Sequence, residues 1–123
     1  MQVLITGITG RVGAYPAQTL TNDGYQVRGL VWAGDPNTER LEELPIDLVE
    51  GDLTNVEDVR HAMKGIEIVC HLGAAFQVGG PFTHDDYFQI NVGGILICWK
   101  LLPNKKFSIF SLPVLMLFTK STQ

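Results

Sequence analysis

The chain has 123 residues, 46% hydrophobic and 18% charged, a balance that fits one small globular domain and leaves no length for a second. A formal net charge of -4 gives neither nucleic acid nor an anionic membrane an electrostatic reason to bind, so a small molecule is the expected ligand. Cys70 and Cys98 have no second Cys or His at ligand spacing, which argues against a metal site and leaves two reduced thiols, as in cytoplasmic proteins.

Met1-Gln2-Val3-Leu4 enters a strand pattern at once, without the basic and apolar runs of a secretion signal. From there, apolar runs of strand length alternate with helical periodicity, the pattern of a parallel sheet covered on both faces. Strand Gln2–Thr6 leads through a glycine-rich turn into a helix at about Val12–Asn22, which Asn22-Asp23-Gly24 stops. Strand Gln26–Val31, the turn Gly34-Asp35-Pro36 and a helix at about Thr38–Leu44 follow, then strand Asp47–Glu50. Thr54 with Glu57 three residues later reads as a capping box for a helix at about Asn55–Met63, and Lys64-Gly65 ends it. After strand Glu67–Leu72, Gly79-Gly80-Pro81 marks a loop and a long helix begins near Asp85. The apolar stretch Phe107 to Phe118 contains Pro113 and falls short of the roughly 20 residues that cross a bilayer, so no membrane span is expected. The expected fold is a Rossmann-type α/β sheet with strand order 3-2-1-4 and helices on both faces, half of a doubly wound fold.

Thr6-Gly7-Ile8-Thr9-Gly10-Arg11-Val12-Gly13 sits directly between the first strand and the first helix. One glycine permits the tight turn, one lets the backbone approach a pyrophosphate, and one lets the helix pack close to the strand. The helix start offers unpaired N–H groups and the positive end of its dipole to that phosphate. No Gly-Lys-Ser/Thr follows, so the turn is not a P-loop. Gly7, Thr9, Gly10, Arg11, Val12 and Gly13 are therefore the first candidate cofactor contacts.

T-G-x-x-G-x-x-G at this position resembles the fingerprint of the extended short-chain dehydrogenases, the family of NAD-dependent epimerases and dehydratases. Three further blocks are similar to that family in the same order: Glu50-Gly51-Asp52-Leu53, Val69-Cys70-His71-Leu72-Gly73-Ala74-Ala75 and Asn91-Val92-Gly93-Gly94. The resemblance covers residues 1 to 94 and implies NAD or NADP as cofactor. It implies that Asp52 receives the adenine amino group and that the Leu53 N–H reaches the ring; alternatively Asp52 only satisfies the turn. Leu72, Gly73, Ala74 and Ala75 would run beneath the ribose and pyrophosphate, and Asn91 would support the central strand. For a full-length form the resemblance implies a small-molecule substrate, such as a nucleotide-linked sugar, and a homodimer.

The second strand departs from the pattern. An acid commonly closes it to bond the adenosine ribose hydroxyls, but Val31 and Trp32 stand there, and the next acid is Asp35. Arg11 or Arg28 could instead meet a 2′-phosphate, which leaves NAD against NADP open. Trp32 either covers the adenine or closes the adjacent loop. His71 is expected to be held by backbone bonds near the strand end without chemistry, and His61 and His84 have no partner spacing that suggests a metal.

Family enzymes use a Ser/Thr after the fifth strand and a Tyr-x-x-x-Lys, in which the Tyr is acid or base and the Lys lowers its pKa. Ser108 and Ser111 lie near the Ser position, but no Tyr follows Tyr87, so no catalytic residue is assigned and turnover by this polypeptide alone is not expected. The alternative reading is a non-catalytic NAD(P)-sensing module, which the Val27 to Pro36 segment resembles. The family pattern stops after Gly94, and residues 95–123 read as an out-of-frame or divergent tail. Taking each codon from its third base, Cys98-Trp99-Lys100 forces Leu-Glu, and Ile95 to Leu102 permits the family's T-x-N-L-L-E-A-A. In the same frame Leu112 to Thr119 permits S-S-S-D-A-V-Y, with Met116 and Leu117 forcing Ala or Val. Loss of one base near codon 95 is the expectation, with 1–94 as the dinucleotide-binding part.

Overall fold

The computed structural model describes residues 1–73 and 82–101. Ala74 and Ala75, the Gly79-Gly80-Pro81 loop, the stretch 107–118 with Ser108 and Ser111, and most of the expected tail lie outside them. Four strands, β1 (Gln2–Thr6), β2 (Gln26–Val31), β3 (Ile46–Glu50) and β4 (Ile68–His71), form one sheet in the order β3-β2-β1-β4, and every pairing is parallel. This is the expected order. Thr6 pairs with Leu30 and with His71, so β1, β2 and β4 end at one level and their following loops gather at the same edge. In open parallel sheets, ligands bind along that carboxyl edge.

The strand period of two divides the core into two layers. Val3 and Ile5 point to one face with Ile8, Ala17, Val27, Val31 and Leu41, whereas Leu4 points to the other with Leu30, Val59, Met63, Val69 and Cys98. Cys70 packs against the first layer and Cys98 lies in the second, so the sheet separates the two thiols. Burial pushes both thiol pKa values up, Cys98 to about 11, which leaves each protonated and unreactive at neutral pH.

Local chemistry moved several boundaries. Helix α1 (Ala14–Asn22) begins two residues later than its apolar pattern, because the turn continues through Gly13; Pro16 is tolerated in the first turn, where its missing N–H has no partner to lose. The helix predicted at Thr38–Leu44 is a 3₁₀ helix, Pro36–Leu41, capped by the Asp35 carboxylate on the Asn37 N–H. Pro36 starts that segment, and Pro45 disfavours helical dihedrals at Leu44 before it, so the helical turn stops short of Leu44. Helix α2 (Val56–Ala62) is capped by Asn55, whose side chain accepts from the Glu57 and Asp58 N–H groups. The predicted Thr54 capping box does not form, because the Thr54 hydroxyl donates to Asp52 instead, at 2.7 Å. The long helix is present as α3 (His84–Phe88), a π-helical turn (Gln89–Gly93) and α4 (Gly94–Leu101), opened by a reciprocal capping box between Thr83 and Asp86.

Among the described residues β4 stands at a sheet edge, and Phe88, Leu96 and Trp99 are exposed large apolar side chains. Unpaired strand edges and exposed apolar groups both favour association. The 123-residue chain is therefore expected to self-associate, with a sedimentation coefficient that rises with concentration; a single monomer boundary at millimolar protein would contradict this.

Candidate functional site

The turn after β1 assigns its three glycines different tasks. Gly7 has φ +68°, a left-handed conformation, and a Cβ there would lie 2.5 Å from the Gly73 nitrogen. The end of β4 thus abuts the turn directly. Gly13 has ordinary helical dihedrals, but a Cβ on it would collide with the carbonyl oxygens of Gly7 and Ile8, so its absence lets α1 close onto the strand. Gly10 differs from both: it is exposed, and a Cβ would meet only the Gly7 oxygen, at 3.1 Å. The Gly10 N–H is taken by Gly7 O at 3.0 Å, while the N–H groups of Arg11 and Val12 have no backbone partner among the described residues and both residues are exposed. An open surface over Gly10, two free donors and the start of α1 form a cradle of the kind that holds phosphate.

The β2 side of this cradle is closed by a second loop. Trp32 to Asp35 is a tight turn, with the Asp35 N–H on Trp32 O at 3.1 Å and Gly34 at φ +76°. Trp32 is 59% exposed at its rim. Asp35 turns inward: its carboxylate accepts from the Thr9 hydroxyl at 2.5 Å and from the Asn37 N–H at 2.9 Å. Arg40 reaches back to the Thr9 carbonyl at 3.5 Å. Arg28, one of two cations considered for a 2′-phosphate, is instead bound to the Asp47 carboxylate at 2.7 Å and to the carbonyls of Ala62 and Lys64, where it ties β2 and β3 to the end of α2. It faces away from the carboxyl-edge loops; Arg11 stays on the turn.

On the other side, Asp52 combines the two roles open to it. One carboxylate oxygen accepts from the Thr54 N–H and hydroxyl, at 2.8 and 2.7 Å, and satisfies the turn; no bond occupies the other oxygen among the described residues. Leu53 is half-buried and acts as a wedge, since a Cβ on Gly73 or on Gly94 would meet its side chain at 3.1 and 2.8 Å. Its side chain thus fixes the gap between the β4 end and the long helix. Leu72 packs its side chain on the α1 layer and bonds its N–H to Thr6 O, so only its backbone is available beside the turn. Asn91 is 1% exposed within the π turn.

His71 was expected to be held by backbone near the strand end, but its partner is a side chain. The Gly73 N–H donates to the Thr6 hydroxyl oxygen at 3.1 Å, and that hydroxyl lies 2.7 Å from His71 Nδ1. The hydroxyl either donates to Nδ1 or accepts from it as well as from Gly73, and the other ring nitrogen, Nε2, is buried with no partner among the described residues. Burial lowers the His71 pKa to about 4 from 6.5, so the ring stays neutral. Thr6 thereby couples β1, the ring and the start of the strand-end loop. Because the unfolded chain takes up this proton near pH 6.5 and the folded chain only near pH 4, stability is full above pH 6.5. It falls as pH drops through that window, by a total of about 3 kcal/mol. Urea denaturation at pH 7, 5.5 and 4 should show this decline, and His71→Gln should flatten it; an equal slope in the two proteins would refute His71 as its source.

Thr6 and Arg40 were not among the residues singled out from the sequence. Thr6 opens the glycine-rich fingerprint without being a predicted contact, and nothing in the spacing shows that it meets His71 or that Arg40 folds back 31 residues to the glycine turn. A parallel sheet whose first crossover opens on a phosphate cradle defines a Rossmann-type fold. The family model described as GDP-mannose 4,6 dehydratase matches residues 4–103, and the chain belongs to that family, within the extended short-chain dehydrogenase/reductases. It is 36% identical over 105 residues to 2-alkyl-3-oxoalkanoate reductase of Shewanella oneidensis, covering 82% of this chain and 26% of that protein. It is 35% identical over 98 residues to 3-beta-hydroxysteroid dehydrogenase of Mycolicibacterium neoaurum, covering 76% and 26%. A short-chain dehydrogenase/reductase superfamily protein from Agrobacterium tumefaciens, solved with bound NAD, superposes with TM-score 0.61 at 28% identity, covering 82% of this chain and 30% of that one. The chain thus spans about a quarter of the length of the curated relatives it matches. Among the described residues no group of acidic, His and Cys side chains could hold a metal, and no helix is long and apolar enough to cross a membrane.

Proposed function

We propose that this chain is the NAD(P)-binding part of an epimerase, dehydratase or reductase of the extended short-chain type. The observation that carries the reading is the open surface at Gly10, bounded by the free N–H groups of Arg11 and Val12. The pyrophosphate would lie there, with Thr9 at its β2 side and Gly73 beneath the ribose. Exposed Trp32 would cover the adenine, and the free oxygen of Asp52 would accept its amino group while the Leu53 N–H meets the ring. The bound dinucleotide supplies or removes hydride; these residues bind and orient it. Substrate chemistry belongs to the whole protein, through groups that this chain does not assign. Calorimetric titration of the chain with NAD⁺ and NADP⁺ tests the reading: saturable binding of either supports it, and binding of neither overturns it.

We further propose that residues 95–123 are read out of the parental frame. Two motif blocks recovered in one shifted frame, at Ile95 to Leu102 and Leu112 to Thr119, support this. The family match continues past Gly94 to residue 103, and α4 buries Cys98 in the core, so the pattern does not stop at Gly94 and both findings count for the divergent, in-frame alternative as far as α4. Resequencing should find that one added base near codon 95 opens a frame encoding Tyr-x-x-x-Lys downstream, as an enzyme requires. Absence of such a frame would refute the proposal and favour the non-catalytic sensing module.

A further inference from the structure

The loop after β2 carries one acid among residues 31–36, Asp35, and the site's choice of nucleotide depends on whether that acid is free. An acid selects unphosphorylated NAD by accepting both hydroxyls of the adenosine ribose, whereas an arginine in the same place accommodates the 2′-phosphate of NADP. Asp35 is 6% exposed, and both of its oxygens are already engaged, one by the Thr9 hydroxyl at 2.5 Å and one by the Asn37 N–H at 2.9 Å. Charge-assisted bonds of this length hold a carboxylate firmly.

Arg40 takes the complementary position. Its side chain is exposed and its Nη1 lies 3.5 Å from the carbonyl of the same Thr9. Thr9 is therefore fixed twice, through its hydroxyl by the buried acid and through its carbonyl by a cation at the surface. Exposed Arg11 stands two residues farther along the turn. A phosphate ester on the ribose would carry close to two negative charges, and a guanidinium meets such a group with paired donors.

We propose that Asp35 is a positioning residue, a latch that holds the β2 loop onto the glycine turn, and that Arg40, with Arg11, makes the site select NADP over NAD. The inference rests on the dinucleotide reading above and adds to it the identity of the nucleotide. The test is calorimetric titration of the 123-residue chain with NADP⁺ and with NAD⁺. The wild type should bind NADP⁺ at least about tenfold more tightly. Arg40→Ala, at an exposed side chain, should remove most of that advantage by lowering NADP⁺ affinity far more than NAD⁺ affinity. Asp35→Asn should weaken both nucleotides by a similar factor and preserve their ratio; Thr9→Val breaks the same latch if Asp35→Asn does not fold. Tighter binding of NAD⁺ by the wild type, a selective loss of NAD⁺ in Asp35→Asn, or an unchanged ratio in Arg40→Ala would overturn the proposal and leave the dinucleotide reading standing. Binding of neither nucleotide by the wild type would overturn the dinucleotide reading itself.

Discussion

Gly13→Val is expected to unfold the chain at temperatures where the wild type is native. Gly13 has no dihedral need for glycine, since its φ of -66° suits any residue. Its constraint is space, because a Cβ would fall on the carbonyl oxygens of Gly7 and Ile8, which are backbone and cannot rotate away. Either α1 must lift off the sheet, exposing Ala17 and the layer formed by Val3, Ile5 and Val27, or the turn must open and lose the contact between Gly7 and Gly73. Overpacking costs typically reach about 3 kcal/mol, and a rigid backbone neighbour places this site at or above that value. Against a total stability of roughly 5–15 kcal/mol for a domain, and the low end for a small one, the loss is decisive. Circular dichroism melting of the two proteins checks it; a melting point within a few degrees of wild type, by the usual scaling of about 4–8 °C per kcal/mol, would show that the helix start relaxes easily.

Gly10→Val should separate binding from folding. Its Cβ would meet one oxygen at 3.1 Å, the position is exposed, and its φ lies outside the left-handed region, so the stability change should stay near 0.5 kcal/mol. The added side chain fills the volume that a phosphate would occupy over the free N–H groups of Arg11 and Val12. Nucleotide affinity should drop on the order of 100-fold, about 2.8 kcal/mol, with the melting curve nearly unchanged. The same substitution chemistry thus gives opposite outcomes at two glycines three residues apart. Equal affinity in wild type and variant would remove Gly10 from the site.

The sequence by itself determined the four strands, their alternation with helices and the turn that carries the cradle. These follow from local rules: continuous apolar runs for strands buried on both faces, and Gly24 and Gly65, at φ +86° and +78°, as stops after helices. The strand order was also legible, because right-handed crossovers leave few arrangements for such a chain. Only the tertiary structure decided which polar side chain meets which. Thr9 and Asp35 are 26 residues apart, and Thr6 and His71 are 65 apart. Asn55 caps α2 because Asp52 had already taken the Thr54 hydroxyl, and Arg28 is removed from the site by Asp47 and two carbonyls at the end of α2. These partners lie on different elements or compete locally for one donor, so the folded backbone selects among them, in the buried Thr6–His71 contact and in the exposed Arg28–Asp47 pair alike. Periodicity and glycine placement determine a backbone because every alternative costs hydrophobic burial or steric strain; hydrogen-bond partners are chosen only after that backbone has brought them within 3 Å.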